Sequence, residues 1–289
     1  MLDDMAIKSL TADIIAVAVL AQALHGEADL PGISLSSVRQ LAVCHNCRIR
    51  EVERQALQIG VVPERYRRNL GTIGPEGQSM LLDSCVAVIG AGGLGGYVIE
   101  GLARMGLGKL ILIDGDRYTE NNLNRQLGCT EAVLGQYKAH VMNRRVAEVN
   151  SAVEVAVHTV WLDEENAASL VQGALVLVDA LDNLPTRLML QRIAARLNVP
   201  LVHGAIAGYT GQVLTILPGD IGLVGLYGEN PIAEKGIEVQ LGNPAATPML
   251  IAAWQVSGVV KLLVGGPVLS QRLMVFDTEF GDCSEVILT

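Results

Sequence analysis

The stretch CVAVIGAGGLGG at residues 85–96 decides the fold. An apolar run ends in Gly90, Gly92, Gly93, Gly95 and Gly96, the pattern of a strand, a glycine turn and the start of a helix at a nucleotide site. Glycine belongs there because the backbone must approach a ligand closely at a helix N-terminus, where amide protons and the helix dipole point outward. Downstream, LILIDGD at 110–116 carries Asp114, about twenty residues on, where such a site sets an acid against a ribose hydroxyl. Then NNLNRQL at 121–127 supplies Asn122, Arg125 and Gln126, and Lys138 opens the next helix. A basic and polar cluster directly behind the ribose acid has no task in a dinucleotide dehydrogenase and suits an enzyme that holds a triphosphate. The plainer readings are a glycine-rich turn, an Asp116 that caps a turn, and a surface Arg125 and Lys138.

A third strand ends in VDALDN at 178–183 and brings Asp182 to the same edge of the sheet. A carboxylate among phosphates and basic groups suits Mg²⁺, which takes one or two protein carboxylates and keeps several waters. The competing use is capping of the helix that begins near Pro185; both hold if Asp179 or Asn183 does the capping.

From residue 85 onward strands and helices alternate. Strands are expected over 86–89, 110–113, 153–158, 175–179, 200–203 and 212–217, and helices over 95–105, 138–149, 164–171 and 186–197. Such repetition predicts an α/β, Rossmann-like, largely parallel sheet with helices on both faces. A closing helix over 247–263 carries only Lys261 as a charge, so it is expected to be buried against the sheet or in a dimer interface. Residues 1–62 read as a separate N-terminal helical segment, with helices over 14–24 and 35–57, and 63–289 as the nucleotide-binding domain. Cys44 and Cys47 have a C-x-x-C spacing, but no second pair stands nearby to complete a zinc site, and two helical residues three apart can simply share a face.

At 289 residues, half of them apolar and 31 of them glycine, the chain can bury a sizeable core. A net charge of −9 argues against nucleic acid as the main partner. Five cysteines suggest no disulfide framework and a cytoplasmic home. The apolar run at 14–24 is too short to span a bilayer, and Asp3, Asp4 and Asp13 give it the wrong charge for a signal peptide, so no membrane role is expected.

Taken in order, Arg65-Tyr66-x-Arg68, Gly74-x-x-Gly77-Gln78, the 88–95 glycine turn, Asp114-x-Asp116, Asn122 to Gln126, Gly135-x-x-Lys138, Asp179-x-x-Asp182-Asn183, the segment from His203 to Gln212 and Gln255 to Gly265 resemble the E1-type activating enzymes of the MoeB, ThiF and HesA group. The resemblance runs from Arg65 to about Phe276. It implies ATP-dependent adenylation of the C-terminal glycine carboxylate of a small ubiquitin-like sulfur carrier ending in Gly-Gly, with release of pyrophosphate. It also implies that Asp114 binds ribose, that Asn122, Arg125 and Lys138 bind phosphates, and that Asp182 holds Mg²⁺. Arg68 would reach the phosphates of the neighbouring subunit of a homodimer, and the segment 204–212 would line the channel for the carrier's tail.

Two departures from that group matter. Many members hold a structural zinc with two C-x-x-C pairs; here the first region reads GLVGLYG at 222–228 and the second offers only Cys283, so no zinc is expected. Several members also carry a cysteine shortly before the last helix; the stretch 236–249 has none, so the chain is expected to stop at the adenylate, with sulfur arriving from elsewhere. Cys129, close behind Arg125, is the one thiol whose surroundings suggest activation, against a bland reading as a small packed residue. Rival readings are the related class that activates a tRNA base, which EGLARMGLGKLILID at 100–114 also resembles, and an inactive scaffold, against which Arg68, Arg125, Lys138 and Asp182 all stand.

Overall fold

The computed structural model describes residues 4–20, 30–228 and 238–288. It begins with helix α1 (Asp4–Val17) and short strands β1 (Val19–Leu20) and β2 (Pro31–Ile33), followed by α2 (Leu35–Cys44), α3 (Ile49–Gln58) and β3 (Val62–Pro63). The helix expected over 14–24 therefore lies earlier; its last residues, 21–24, fall outside the described part. The single helix expected over 35–57 is two, because Asn46 takes a left-handed φ of 47° and Glu51 closes back on the Arg48 amide to start a new helix. Cys44 ends α2 and Cys47 sits in the break, so they do not share a helical face. Leu10, Ile14, Ile33, Val38, Val52 and Ala56 give this segment a small core of its own.

A 3-10 turn (Glu64–Asn69) and α4 (Leu70–Leu82) lead into the main body. Its elements are β4 (Cys85–Ile89), α5 (Gly93–Met105), β5 (Lys109–Ile113), α6 (Lys138–Val149), β6 (Glu154–His158), α7 (Ala167–Leu170), β7 (Val176–Asp179) and α8 (Leu184–Leu197). There follow β8 (Leu201–Ala207), β9 (Thr210–Ile216), α9 (Gly222–Tyr227), α10 (Glu238–Leu241), α11 (Ala246–Leu263), β10 (Arg272–Asp277) and β11 (Asp282–Ile287). From residue 85 onward the expected strands and helices are all present, with ends shifted by a few residues, and β10 and β11 add two strands beyond the expected six.

Eight strands form one sheet in the order β11-β10-β9-β8-β7-β4-β5-β6. The five from β6 to β8 are parallel and the last three antiparallel. Each parallel strand reads as unbroken apolar sequence because both faces are covered. Val86, Val88, Leu110, Leu112, Val176 and Val178 pack on one side with α5, α6 and α11, while Ala87, Ile89, Ile111, Ile113 and Leu177 pack on the other with α8 and α9. From β4 the chain steps outward to β5 and β6, then returns to β7 on the opposite side. That reversal opens a crevice at the carboxyl ends of β4, β5 and β7, the position at which open α/β sheets bind ligands. Helix α11 is long and apolar enough to cross a membrane, but Ile251, Ala252, Gln255, Val259 and Val260 bury one face of it against β7, β8, β9 and α5.

Candidate active site

Register brings the site together. Ile89 stands opposite Ile113 on one side and Asp179 on the other, so Gly90, Asp114 and Ala180 emerge at one edge. There a cavity of about 260 Å³ is lined by Gly90, Gly92, Gly93, Asp114, Asp116, Arg125, Gln126, Lys138 and Asp182. Nearly all the residues singled out from sequence thus meet at one place; Gly95, Asn122 and Arg68 do not line it.

The glycines divide by task. A Cβ on Gly90, where φ is +96°, would stand 2.5 Å from the Ala180 carbonyl oxygen, and one on Gly95 would stand 1.8 Å from the Gly90 carbonyl oxygen. These two let the turn close and the helix pack. A Cβ on Gly92 or Gly93 would meet nothing nearer than 3.6 Å, an ordinary van der Waals distance, and so would clash with nothing in the chain. The cradle at the N-terminus of α5 is therefore open for a ligand, as a phosphate site requires.

Asp114 is buried and accepts from the amides of Ala91 (2.6 Å) and Asp116 (2.7 Å). Burial lifts its carboxyl above the ordinary range, and the two amides and Lys138 offset only part of that. Lys138, itself buried, donates to Asp116 Oδ2 at 2.6 Å. Arg125 is steadied by the Asn121 carbonyl (2.8 Å) and Asn124 Oδ1 (2.9 Å). The Gln126 Oε1 atom is buried on the cavity wall with no hydrogen-bond partner among the described residues, an acceptor waiting for a donor.

Asp182 is exposed, and its neighbour Asn183 caps α8 by accepting from the Thr186 amide at 3.0 Å, which leaves the Asp182 carboxylate to the cavity. Asn122 is different from expectation. Its side chain accepts from the Thr119 amide at 3.0 Å and donates to Asn121 Oδ1 at 2.9 Å, so it ties the loop instead of facing the cavity. Arg68 is exposed and lies away from the cavity of its own chain. Cys129 packs with Tyr118 and Val141, and burial raises its thiol pKa despite the nearby Lys138, the reverse of the activation considered above.

Sequence reasoning missed Trp161, Arg187 and Asn243, which also line the cavity. Arg187 donates to the Leu181 carbonyl oxygen and could have been found as the first-turn cation of a helix that starts at the sheet edge. A second groove of about 550 Å³ adjoins the cavity, sharing Asp182, Arg187 and Ile206 and continuing past Ala205, Gly211, Gln212 and Tyr227. Among the described residues no group of three or more His, Cys, Asp and Glu could hold a metal by itself. Helix α9 occupies the GLVGLYG segment, with Leu223 buried beneath it.

Comparison with known proteins agrees with this geometry. The ThiF family model matches residues 66–288. The chain is 36% identical over 220 residues to the SAMP-activating enzyme E1 of Haloferax volcanii, covering 74% of this chain and 81% of that protein. It is 35% identical over 214 residues to the sulfur carrier protein adenylyltransferase of Thermus thermophilus, covering 73% and 77%. Among solved structures, E. coli MccB with ATP aligns over 100% of this chain and 89% of that one with a TM-score of 0.67 at 18% identity, a likeness of fold alone. The chain belongs to the ThiF family and, like these relatives, is an adenylyltransferase of the E1-like kind.

Proposed function

We propose that this enzyme uses ATP and Mg²⁺ to adenylate the C-terminal glycine carboxylate of a small ubiquitin-like sulfur carrier. The observation that carries the reading is the adjoining pair of hollows, a nucleotide cavity lined by polar and charged side chains and a larger, more apolar groove, which meet at Asp182 and Arg187. The relatives' names point the same way.

Each Asp114 oxygen keeps a lone pair for a ribose hydroxyl beyond its amide bond. The base lies against Val160, Trp161 and Leu162, the apolar side of the cavity. Phosphates meet the Gly92–Gly93 cradle, Arg125 and Lys138, with Asp116 holding the ammonium in place until they arrive. Asn122 acts one step back, bracing the loop that carries Arg125. Asp182 would hold Mg²⁺, which would neutralise phosphate charge when bound. A carboxylate oxygen of the carrier attacks the α-phosphorus, the bond to the β-phosphate bridging oxygen breaks, and pyrophosphate leaves with the electron pair. Negative charge meets negative charge, so positioned cations supply most of the acceleration. The carboxylate is already ionised at neutral pH, so no general base is needed. Arg68 serves the neighbouring protomer of a homodimer, since it stands away from its own cavity.

ATP–pyrophosphate exchange tests the reading, with each small protein ending in Gly-Gly from the same genome supplied in turn and total tRNA as the parallel substrate. At least one carrier should support exchange and tRNA should not. Exchange with tRNA alone, or with nothing, would refute the assignment.

A further inference from the structure

A hydrogen-bonded chain runs from the core to the groove beside the nucleotide cavity. Asp179 and His203 are wholly buried and face each other across β7 and β8, with Asp179 Oδ2 2.6 Å from His203 Nδ1. The Leu181 amide donates to the other oxygen at 3.0 Å. Burial alone would lift the Asp179 carboxyl, but Arg187 and the His203 contact hold it below the usual carboxylate range. Burial also keeps His203 below its ordinary value, against the pull of Asp179. An ionised carboxylate only accepts, so Nδ1 carries the ring proton and Nε2 is bare.

That tautomer dictates the next residue. Gln212 Nε2 lies 3.2 Å from His203 Nε2 and 2.8 Å from the Tyr227 hydroxyl. Flipping the amide would set its carbonyl oxygen against a bare ring nitrogen, acceptor on acceptor, so the NH₂ must face the ring. Both amide hydrogens are then committed, and Oε1 has no partner among the described residues. What Gln212 offers the groove is a fixed acceptor, among the apolar Leu184, Ala205, Ile206, Ala207, Gly211 and Leu241, with Thr210 and Tyr227 also in the lining and Asp182 and Arg187 where the groove meets the cavity. A largely apolar groove with a fixed acceptor along it suits an extended glycine tail, which has no side chains and presents backbone N–H groups.

We propose that Gln212 Oε1, locked in place by Asp179, His203 and Tyr227, accepts a backbone N–H of the carrier's tail and so holds the tail in register with the nucleotide cavity. This rests on the carrier reading given above. The test uses the full-length enzyme and a carrier that supports exchange, prepared by ligation with each tail amide in turn replaced by an ester, which lacks the N–H. Gln212→Met should lower kcat/KM for the carrier roughly tenfold and leave KM for ATP within about twofold, as loss of one buried hydrogen bond predicts. One ester position should cost the wild type about tenfold and Gln212→Met less than about twofold. Tyr227→Phe, at a half-exposed position, should show a smaller coupling at the same position and carries the cycle if Gln212→Met does not fold. Equal ester costs in wild type and variant at every position would overturn the proposal while leaving the carrier reading intact. Absence of wild-type exchange with every carrier would remove both.

Discussion

A Cβ on Gly95 would collide with the Gly90 carbonyl oxygen at 1.8 Å, whereas one on Gly92 would find Gln126 at 3.6 Å and nothing closer. The same motif thus contains glycines the fold needs and glycines the ligand needs, and substitution separates them. Gly95→Ala should cost about 3 kcal/mol or prevent folding, because backbone cannot yield as a flexible side chain does. Gly92→Ala, at an ordinary φ of −84°, should stay within about 0.5 kcal/mol of wild type in denaturant titration yet bind ATP roughly tenfold or more weakly. Equal stability losses in the two variants would contradict this division. Asp114, Arg125, Gln126, Lys138 and Asp182 were legible because glycine turn, strand ends and helix starts place them at one edge without knowledge of packing. Trp161, Arg187 and Asn243 come from three separate segments, and only tertiary packing decides which of their side chains reach the cavity. Asn122 misled because a polar residue in the right motif can be consumed by its own loop.

Among elements, the central sheet was readable since apolar runs of four or five residues alternate with helical spacing. The N-terminal helices were not, because apolar spacing continues across the break at 45–48 and only Asn46 marks it. How that segment joins the main body was also hidden. Glu53 of α3, wholly buried, accepts from the Tyr66 hydroxyl at 3.0 Å and pairs with Arg65 at 3.2 Å, and Asn150 Nδ2 reaches both Tyr66 and the Ala103 carbonyl of α5 at 2.9 Å. Burial raises the Glu53 pKa, and Arg65 and Tyr66 offset only part of the rise. A carboxyl whose folded pKa lies above its unfolded value binds its proton more tightly when folded, so its stabilising contribution is complete at acid pH and is lost as pH rises through the folded value. Glu53→Gln keeps an acceptor for Tyr66 and removes the titration. Measured from about pH 4 upward, where an unfolded glutamate begins to ionise, the thermal midpoint of wild type should fall relative to Glu53→Gln. A gap that moves the other way would mean that Arg65 holds the carboxylate charged throughout.

For the whole molecule, the position of Arg68 is the informative fact, since it is exposed and absent from the lining of its own chain's cavity. If the cavity is completed across a two-fold axis, Arg68→Ala and Arg125→Ala should each be inactive, yet a mixture allowed to exchange subunits should recover up to about a quarter of wild-type activity, because half of the dimers are mixed and each holds one intact composite site. No recovery after verified exchange would place Arg68 in its own chain's chemistry or outside it. The net negative charge and the polar cavity were visible in composition and motif, whereas the second groove was implied only by the resemblance, which gave residues 204–212 to a tail channel, because its lining depends on how the β8–β9 hairpin turns back beside α9.

The central claim is that a carrier's terminal carboxylate is joined to AMP at the edge where Asp114, Lys138, Arg125 and Asp182 meet, and intact-mass spectrometry of the carrier tests it most directly. After incubation with enzyme, ATP and Mg²⁺, the carrier should gain the mass of an adenylyl group. The same carrier with an amidated C-terminus should gain nothing, and Asp182→Ala should form the adduct on the order of 10² to 10³ times more slowly. An AMP adduct that persists on the amidated carrier, or adduct formation by Asp182→Ala within about tenfold of wild type, would contradict the account.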